Sequence, residues 1–224
     1  MNQKSIAIDG PSGAGKSTLA KRLAERLGYL YVDTGAIYRT VGLAAQRTGI
    51  DPNDATQVTA MLPRLDIALD HGEDGLQRMR LDGEDVTEAI RRPEISLYAS
   101  AVSALPEVRQ FLMDLQRQLA EKYDVVMDGR DIGTTVLPDA GLKIYMTATP
   151  EARAKRRFLE LQAKGLQEPY EKVLEEIIQR DHQDMTREAS PLRKAGDAVE
   201  VDTTDYGLEK SLQLLLDLVK ERFH

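Results

Sequence analysis

The residues with the clearest chemical potential lie at positions 10–17, which read Gly-Pro-Ser-Gly-Ala-Gly-Lys-Ser. This run matches the pattern G-x-x-x-x-G-K-[ST], whose glycines let backbone N–H groups approach phosphate oxygens where a Cβ would obstruct them. Lys16 would place its charge at the β- and γ-phosphates, and the Ser17 hydroxyl would ligate Mg²⁺. The run therefore predicts a binding site for a nucleoside triphosphate and its metal ion.

The residues on either side of this loop support the prediction. An apolar run at 5–9 precedes it and is typical of a buried strand, while Leu19, Leu23 and Leu27 follow it at helical spacing. The loop would open onto a helix N-terminus, which is the helix end that favours anions. We expect nine residues to contact the triphosphate: Gly10, Pro11, Ser12, Gly13, Ala14, Gly15, Lys16, Ser17 and Thr18.

Composition argues against several other kinds of site. The 224 residues suffice for one α/β domain with insertions, and the absence of cysteine excludes disulfides, thiol nucleophiles and cysteine-bound metals. The scattered His71, His182 and His224 do not suggest a zinc site. Because no signal-peptide core and no apolar run near ~18 residues is present, we expect a cytoplasmic protein with no membrane partner. A net charge of −7 argues against nucleic acid as a partner, so any basic patch among the nineteen arginines must be local.

Alternating apolar strands and amphipathic helices predict the fold class. Buried parallel strands are expected at 6–9, 29–33, 125–128, 142–147 and 198–202. Helical patterns separate them, with the clearest apolar faces at 105–122 and 208–223. This alternation predicts an α/β protein with three layers, in which helices cover both faces of a mostly parallel sheet.

Two segments depart from this alternation of apolar strands and amphipathic helices. Residues 65–69, 76–81 and 84–87 alternate with period two, and the breaks at 71–75 and at Asp82-Gly83 are turn signals, so a small antiparallel insertion is expected beside the acceptor site. The charged region 150–187 is, in most proteins, simply a solvated helix face. In a protein with a phosphate loop it can also be a helical lid over bound phosphates, with Gly165 at the turn.

Phosphoryl transfer needs charge neutralisation and positioning, and the chain contains residues for both. Asp128 ends a Val-Val-Met-Asp run in the manner of a carboxylate that holds Mg²⁺ through water. An aspartate at a strand end can equally be a helix cap or a turn residue. For this residue both interpretations stand.

Four motifs together resemble the bacterial cytidylate kinase family, which belongs to the nucleoside monophosphate kinases. They lie at 9–16 (Asp-Gly-Pro-Ser-Gly-Ala-Gly-Lys), 33–39 (Asp-Thr-Gly-Ala-Ile-Tyr-Arg), 128–131 (Asp-Gly-Arg-Asp) and 180–187 (Arg-Asp-His-Gln-Asp-x-x-Arg). The resemblance covers essentially the whole chain. It implies a five-stranded parallel sheet of order 2-3-1-4-5 and Mg²⁺-dependent transfer of the ATP γ-phosphoryl group to CMP or dCMP.

The resemblance also implies a division of one kinase domain, 1–224. Residues 1–35, 104–150 and 190–224 would form the core. Residues 36–103 would form the lobe that binds the monophosphate, with the β insertion at about 62–90, and 151–189 would form the lid. A monomer is expected.

Family positions that match this chain imply a set of site residues. The cytosine base would meet Thr34, Arg109 and Asp131, and the pentose would meet Ser100, Arg180, Asp184 and Arg187, of which Arg180 and Arg187 can also reach phosphate. Arg39 and Arg130 would lie near the acceptor phosphate, Arg153, Arg156 and Arg157 at the lid, and Thr203 and Thr204 at adenine. The residues expected to act in catalysis are Lys16, Arg130, Arg157 and Arg187, and those for the metal are Ser17 and, through water, Asp128.

The chemistry of cytosine agrees with the implied role of Asp131. A carboxylate can accept a hydrogen bond from the N4 amino group, and an arginine can donate to the O2/N3 edge. Uracil has a carbonyl at the same place, so UMP would face the Asp131 carboxylate with a second acceptor. A purely structural role for Asp131, as the partner of Arg130 or Arg109, stays open and is compatible with base recognition.

Two positions depart from the pattern of some family members, which have glycine at 17 and serine at 34. Ser17 restores an ordinary Mg²⁺ hydroxyl, and Thr34 keeps a hydroxyl but adds a methyl group. The alternatives to a monophosphate kinase are a kinase of similar fold that acts on an alcohol, with Asp33 receiving the hydroxyl proton, and a nucleotide-binding switch. The many arginines and the three-stranded insertion argue against the first, and the acidic balance and acceptor lobe against the second.

Overall fold

Eight strands and eight α-helices make up the structure, a computed structural model that describes residues 3–72, 77–163 and 165–223. The strands are β1 (Ser5–Asp9), β2 (Leu30–Asp33), β3 (Ile67–His71), β4 (Gln77–Leu81), β5 (Glu84–Asp85), β6 (Val125–Gly129), β7 (Leu142–Thr147) and β8 (Val199–Asp202). The helices are α1 (Lys16–Leu27), α2 (Thr34–Arg47), α3 (Ala55–Met61), α4 (Pro93–Ser103), α5 (Pro106–Lys122), α6 (Pro150–Ala163), α7 (Tyr170–Thr186) and α8 (Leu208–Phe223).

The main sheet has five strands in the order β2-β6-β1-β7-β8. Strand β1 pairs in parallel with β6 and β7, and β7 pairs in parallel with β8. Counted among these five strands alone, the order is 2-3-1-4-5, which confirms the predicted fold. The predicted segments 6–9, 125–128 and 142–147 each fall within one of these strands.

The second sheet is the predicted antiparallel insertion, with order β3-β4-β5. Between β4 and β5, Asp82 and Gly83 have φ values of 53° and 81°. Two successive left-handed residues are typical of the tight hairpin turn that an Asp-Gly pair favours. Part of the other predicted turn, at 73–75, and the first residue of the predicted strand 76–81 lie outside the described residues, as does Lys164 beside Gly165.

The chain divides into two compact units. The first unit comprises Met1–Leu30 and Tyr123–His224, and the second comprises Tyr31–Lys122. The division into core, monophosphate lobe and lid that the resemblance implies is a functional one and stays a prediction. Among the described residues, no helix is long and apolar enough to cross a membrane.

The core of the first unit explains why its central strands β1 and β6 are apolar up to their terminal aspartates, whereas the edge strand β8 is mostly exposed. Ile6, Ile8, Met127 and Ile144 have at most 1% of their surface exposed. Such burial on both sides of a strand leaves no place for polar alternation, which is typical of a parallel sheet between helical layers. Helix α1 also packs against α8 in this unit.

The second unit depends on close packing between α2 and α4. Replacing Gly42 by alanine is expected to lower the free energy of unfolding by about 1–3 kcal/mol, because the core there has no room for a methyl group. A Cβ at this position would lie 2.9 Å from the Ala99 nitrogen and 3.1 Å from the Tyr98 Cβ. Urea unfolding measures the loss. Gly196→Ala is the matched control, since nothing lies within 4 Å of its Cβ, and equal losses for both variants would contradict the prediction.

Candidate active site

The predicted phosphate loop connects β1 to α1 in the first unit. Gly10, Gly13 and Gly15 have φ values of 149°, 76° and 87°, a region that L side chains rarely adopt. A Cβ at Gly10 would lie 1.9 Å from the Met146 carbonyl oxygen, so the close approach of the two backbones requires glycine there. Pro11, Ser12 and Ala14 complete the loop, and Thr18 lies exposed in the first turn of α1.

Lys16 begins α1 and is only 5% exposed. Its Nζ donates a hydrogen bond to the Pro11 carbonyl oxygen at 2.8 Å. Burial and the charge of Arg130 lower the pKa of Lys16 to about 7, although nearby carboxylates oppose this shift. Negative charge arriving at this loop would therefore stabilise the protonated form of the lysine.

Ser17 and Asp128 meet although 111 positions separate them in the chain. The Ser17 hydroxyl donates to Asp128 Oδ2 at 2.8 Å, and Asp128 lies at the carboxyl end of β6 with 4% of its surface exposed. A hydroxyl and a carboxylate are hard oxygen donors of the kind that Mg²⁺ prefers alongside water and phosphate oxygens. The two residues therefore fit a magnesium site.

A cluster of arginines surrounds Asp184, a buried residue near the end of α7. Arg130, directly after β6, donates from Nε to Asp184 Oδ2 at 2.7 Å. Burial alone would raise the pKa of Asp184, but Arg130, Arg180 and Arg187 hold it below its usual value. Asp184 is thus a carboxylate that pairs with Arg130 and lies within the electrostatic influence of two further guanidinium groups of the first unit.

Asp131 is 4% exposed and forms an ion pair with Arg187, whose Nη2 lies 3.6 Å from Asp131 Oδ1. Arg187 also donates from Nε and Nη2 to the Ser190 carbonyl oxygen, at 2.9 and 2.6 Å. Arg130 and Arg109 were the two arginines suggested as structural partners of Asp131. Of these, Arg130 pairs with Asp184. Asp131 is thereby joined to the end of α7 through Arg187.

The three arginines expected at the lid differ strongly in their surroundings. Arg153 is 2% exposed and donates to the Ser12 carbonyl oxygen at 3.0 Å and to Asp181 at 3.0 and 2.5 Å. It therefore ties α6 and α7 to the phosphate loop. Arg157 is exposed and pairs at 3.4 Å with Glu160 of its own helix.

Arg156 extends from α6 to the residues after β8. It donates to both the carbonyl and the hydroxyl oxygen of Thr203, the latter at 3.2 Å. The Thr203 hydroxyl in turn donates to the Ala14 carbonyl oxygen at 3.2 Å. Thr204 Oγ1 accepts from the Thr149 nitrogen at 3.0 Å. Thr203 is therefore linked directly to the phosphate loop, and Thr204 is linked to the residue that precedes α6.

In the second unit, Asp33 organises the start of α2. Its Oδ1 accepts from the Ala36 nitrogen at 2.9 Å, capping the helix. Its Oδ2 lies 3.0 Å from Arg39 Nη2 and 3.4 Å from Arg91 Nη2. The buried Arg39 Nε has no hydrogen-bond partner among the described residues. The Asp33 carboxylate therefore holds two guanidinium groups.

The other residues predicted in the second unit lie on three helices. Thr34 is the first residue of α2 and is 3% exposed. Arg109 on α5 is 4% exposed, donates to the Ser103 carbonyl oxygen at 3.0 Å and lies over the Tyr38 ring at 5.4 Å. Ser100 on α4 is half-buried, and its carbonyl oxygen accepts from the Ser103 hydroxyl at 2.9 Å.

Some residues that shape the site were not predicted individually. Gln77 pairs with the backbone of Asp33, accepting from its nitrogen at 2.8 Å and donating to its carbonyl oxygen at 3.2 Å. Asp181 neutralises Arg153, and Asp9 accepts two backbone N–H groups after Asp131. Asp9 and Asp181 carried a signal in the sequence, since they lie in the motifs at 9–16 and 180–187, whereas Gln77 carried none.

Comparisons with known proteins agree with the motifs. A family model described as cytidylate kinase matches residues 6–221. A cytidylate kinase from Caldicellulosiruptor bescii is 54% identical over 218 residues, covering 97% of this chain and 96% of that protein. One from Geobacter sulfurreducens is 48% identical over 217 residues, covering 97% and 93%. A crystal structure of an uncharacterized protein from Eubacterium ventriosum matches with a TM-score of 0.51 and 13% identity, covering 98% of this chain and 100% of that one, which supports the fold alone.

Proposed function

The chain belongs to the cytidylate kinase family, and we propose that it transfers the γ-phosphoryl group of Mg²⁺-bound ATP to CMP or dCMP, giving ADP and CDP or dCDP. The observation that carries the proposal is the cluster of charges in the first unit. Arg130 donates to Asp184 Oδ2 at 2.7 Å, and Arg187 Nη2 lies 3.6 Å from Asp131 Oδ1. The charge of Arg130 contributes to the lowered pKa of the buried Lys16. Such a cluster offers more positive charge than a simple triphosphate loop and suits two nucleotides with phosphates.

The phosphate loop and the residues proposed for the metal would bind ATP, the donor nucleotide. The N–H groups of residues 10–17 and the start of α1 favour bound phosphate. Ser17 and Asp128 would hold Mg²⁺, the hydroxyl directly and the carboxylate through water. When bound, the metal neutralises charge on the β- and γ-phosphates. Lys16 would exchange its bond to the Pro11 carbonyl for the γ-phosphoryl oxygens.

The acceptor needs no general base. The second phosphate pKa of a monoester is about 6, so the attacking oxygen of CMP is already an anion at neutral pH. The task left to the protein is to reduce repulsion between two anions, and arginine forks suit it. We assign this role to Arg39, Arg130 and Arg187, with Arg157 joining them during transfer.

Base and sugar recognition is assigned to the residues that match the family motifs. In the second unit Thr34 and Arg109 would contact cytosine and Ser100 the pentose. In the first unit Asp131 would accept from the N4 amino group, and Arg180, Asp184 and Arg187 would contact the pentose. An alcohol kinase that uses Asp33 as its base is disfavoured, because this carboxylate already caps α2 and pairs with two arginines. We further propose that the enzyme acts in the cytoplasm as a monomer.

An ADP-release assay tests the function directly. The protein with Mg²⁺ and ATP is offered CMP, dCMP, UMP, AMP, GMP, shikimate or no acceptor. We expect kcat/KM to be highest for CMP and dCMP, with little ADP released in the absence of an acceptor. Preference for another acceptor, or ATP hydrolysis that added CMP does not change, would overturn the proposal.

A further inference from the structure

We propose that Asp9 is a positioning residue for the acceptor nucleotide: its carboxylate holds the turn behind Asp131 and so fixes where that side chain points. This inference rests on the proposed function, since it concerns the residue assigned to the base of CMP. Asp9 is the last residue of β1 and directly precedes the phosphate loop. One short segment would thus serve both nucleotides, the loop binding the donor and Asp9 shaping the site of the acceptor.

The contacts of Asp9 involve both carboxylate oxygens. Oδ1 accepts from the Ile132 nitrogen at 2.8 Å, and Oδ2 accepts from the Gly133 nitrogen at 2.7 Å. The residue is 5% exposed, so these bonds lie away from water. A charged acceptor makes stronger hydrogen bonds than a neutral one, and both donors would be costly to leave unpaired when buried.

The backbone that follows Asp131 has an unusual conformation, which explains why it needs an external support. Residues Ile132–Val136 form a single π-helical turn, and Asp131 before it has φ −144° and ψ 25°. The Asp131 carbonyl oxygen accepts from the Thr135 and Val136 nitrogens at 2.8 and 3.2 Å. The first N–H groups of any helical turn lack acceptors within that turn. Here the Asp9 carboxylate, at the end of β1, accepts from two of them.

The fit between Asp9 and the turn is close. A Cβ at Gly133 would lie 3.4 Å from Asp9 Oδ2 and 3.1 Å from the Lys143 Cδ. An alanine methyl group at this position would therefore make an ordinary contact with Asp9 and crowd the Lys143 side chain. Movement of the Ile132–Gly133 backbone would move Asp131 with it, because Asp131 directly precedes this pair.

The surroundings of Asp9 disfavour the ionised form of its side chain. Burial raises its pKa to about 6 even though the two backbone N–H groups oppose the shift, and the nearby Asp131 carboxylate adds repulsion that Lys16 partly offsets. A neutral side chain would avoid these costs. A carboxylate with two acceptors is the group that matches two converging N–H donors.

Asp9→Asn tests the inference with little change in size. The amide retains one acceptor and turns an NH₂ group toward the second N–H donor, which should loosen the turn. We expect KM for CMP to rise about tenfold, the effect of losing one hydrogen bond, while the Kd of Mg²⁺-ATP measured by calorimetry stays within about twofold. The matched control is Asp54→Asn, since the Asp54 carboxylate also accepts a backbone N–H, from Gln57 at 3.0 Å, but caps α3 in the second unit.

A second variant approaches the same turn from the other side. Gly133→Ala leaves Asp9 unchanged but places a methyl group 3.1 Å from the Lys143 Cδ and 3.4 Å from Asp9 Oδ2, and crowding of the turn there should raise KM for CMP by less than Asp9→Asn does. An unchanged KM for CMP in Asp9→Asn would overturn the inference, and so would equal losses for CMP and ATP together with a lowered Tm, the sign of a merely structural role. A wild-type protein that does not phosphorylate CMP would overturn the proposed function as well, so the two failures differ in the wild-type control.

Discussion

Replacing Lys16 by methionine is expected to lower kcat by about 10²–10³-fold, the usual cost of losing one preorganised group that stabilises transition-state charge. Methionine keeps most of the side-chain volume and suits a position that is 5% exposed, so the loop should keep its shape. The loss should fall mainly on kcat, because the backbone N–H groups of residues 10–17 still bind the phosphates. Single-turnover measurement of ADP formation with saturating CMP reports this step.

Lys21→Met is the matched control for that experiment. Lys21 lies on the same helix, but its side chain is 42% exposed and meets Glu25 only at 4.0 Å. Its replacement should leave kcat within about twofold, since exposed ion pairs of this kind contribute little. Similar losses in both variants would show that the effect of Lys16 is general to α1 rather than specific to the transferred group.

Replacing Asp131 by asparagine is expected to lower kcat/KM for CMP by about 10²–10³-fold, through loss of a buried charge-assisted hydrogen bond and of the ion pair with Arg187. The preference for CMP over UMP should fall by a larger factor than the affinity for ATP. The reason is that an amide can donate a hydrogen bond to the uracil O4, which a carboxylate cannot do. The ratio of kcat/KM for the two acceptors measures this change in specificity.

Asp139→Asn separates base recognition from simple loss of charge. Asp139 is exposed, and its replacement removes the same charge eight positions further along the chain. It should change neither the CMP to UMP ratio nor KM for CMP. If Asp131→Asn weakens CMP and ATP equally, the residue stabilises the turn and Arg187 rather than reading the base.

The elements of this protein were predictable where one local rule determined them. Strands β6 and β7 are apolar along most of their length because both faces are covered, and the Asp82-Gly83 turn follows from backbone preferences of those two residues. The loop at 10–17 was predictable for the same reason, since its glycines adopt conformations that other residues avoid. In each case the cause lies within a few neighbouring positions.

The details of the site were less accessible because they depend on pairs distant in sequence. Arg153 meets Asp181 across 28 positions, and Gln77 meets Asp33 across 44. Neither spacing has a periodicity that a single sequence could reveal. The resemblance to a family placed Arg153 at the lid, which stays a prediction, but it did not indicate that this residue is buried and bonded to Asp181 and the phosphate loop. A run of charged residues along a helix predicts that the helix is polar. The tertiary fold determines which of those charged side chains become buried.

The pairing of Asp33 with Arg39 and Arg91 has a consequence for the entropy of binding. A free arginine side chain loses up to about 2 kcal/mol of rotamer freedom when a ligand immobilises it. Here the Asp33 carboxylate restricts both arginine side chains when the protein folds. An anion that binds to them would therefore find guanidinium groups that are already ordered. The cost of that order is carried by the stability of the second unit instead of by the affinity for the anion. An anion bound there would then be held more tightly than by two free arginines making the same contacts.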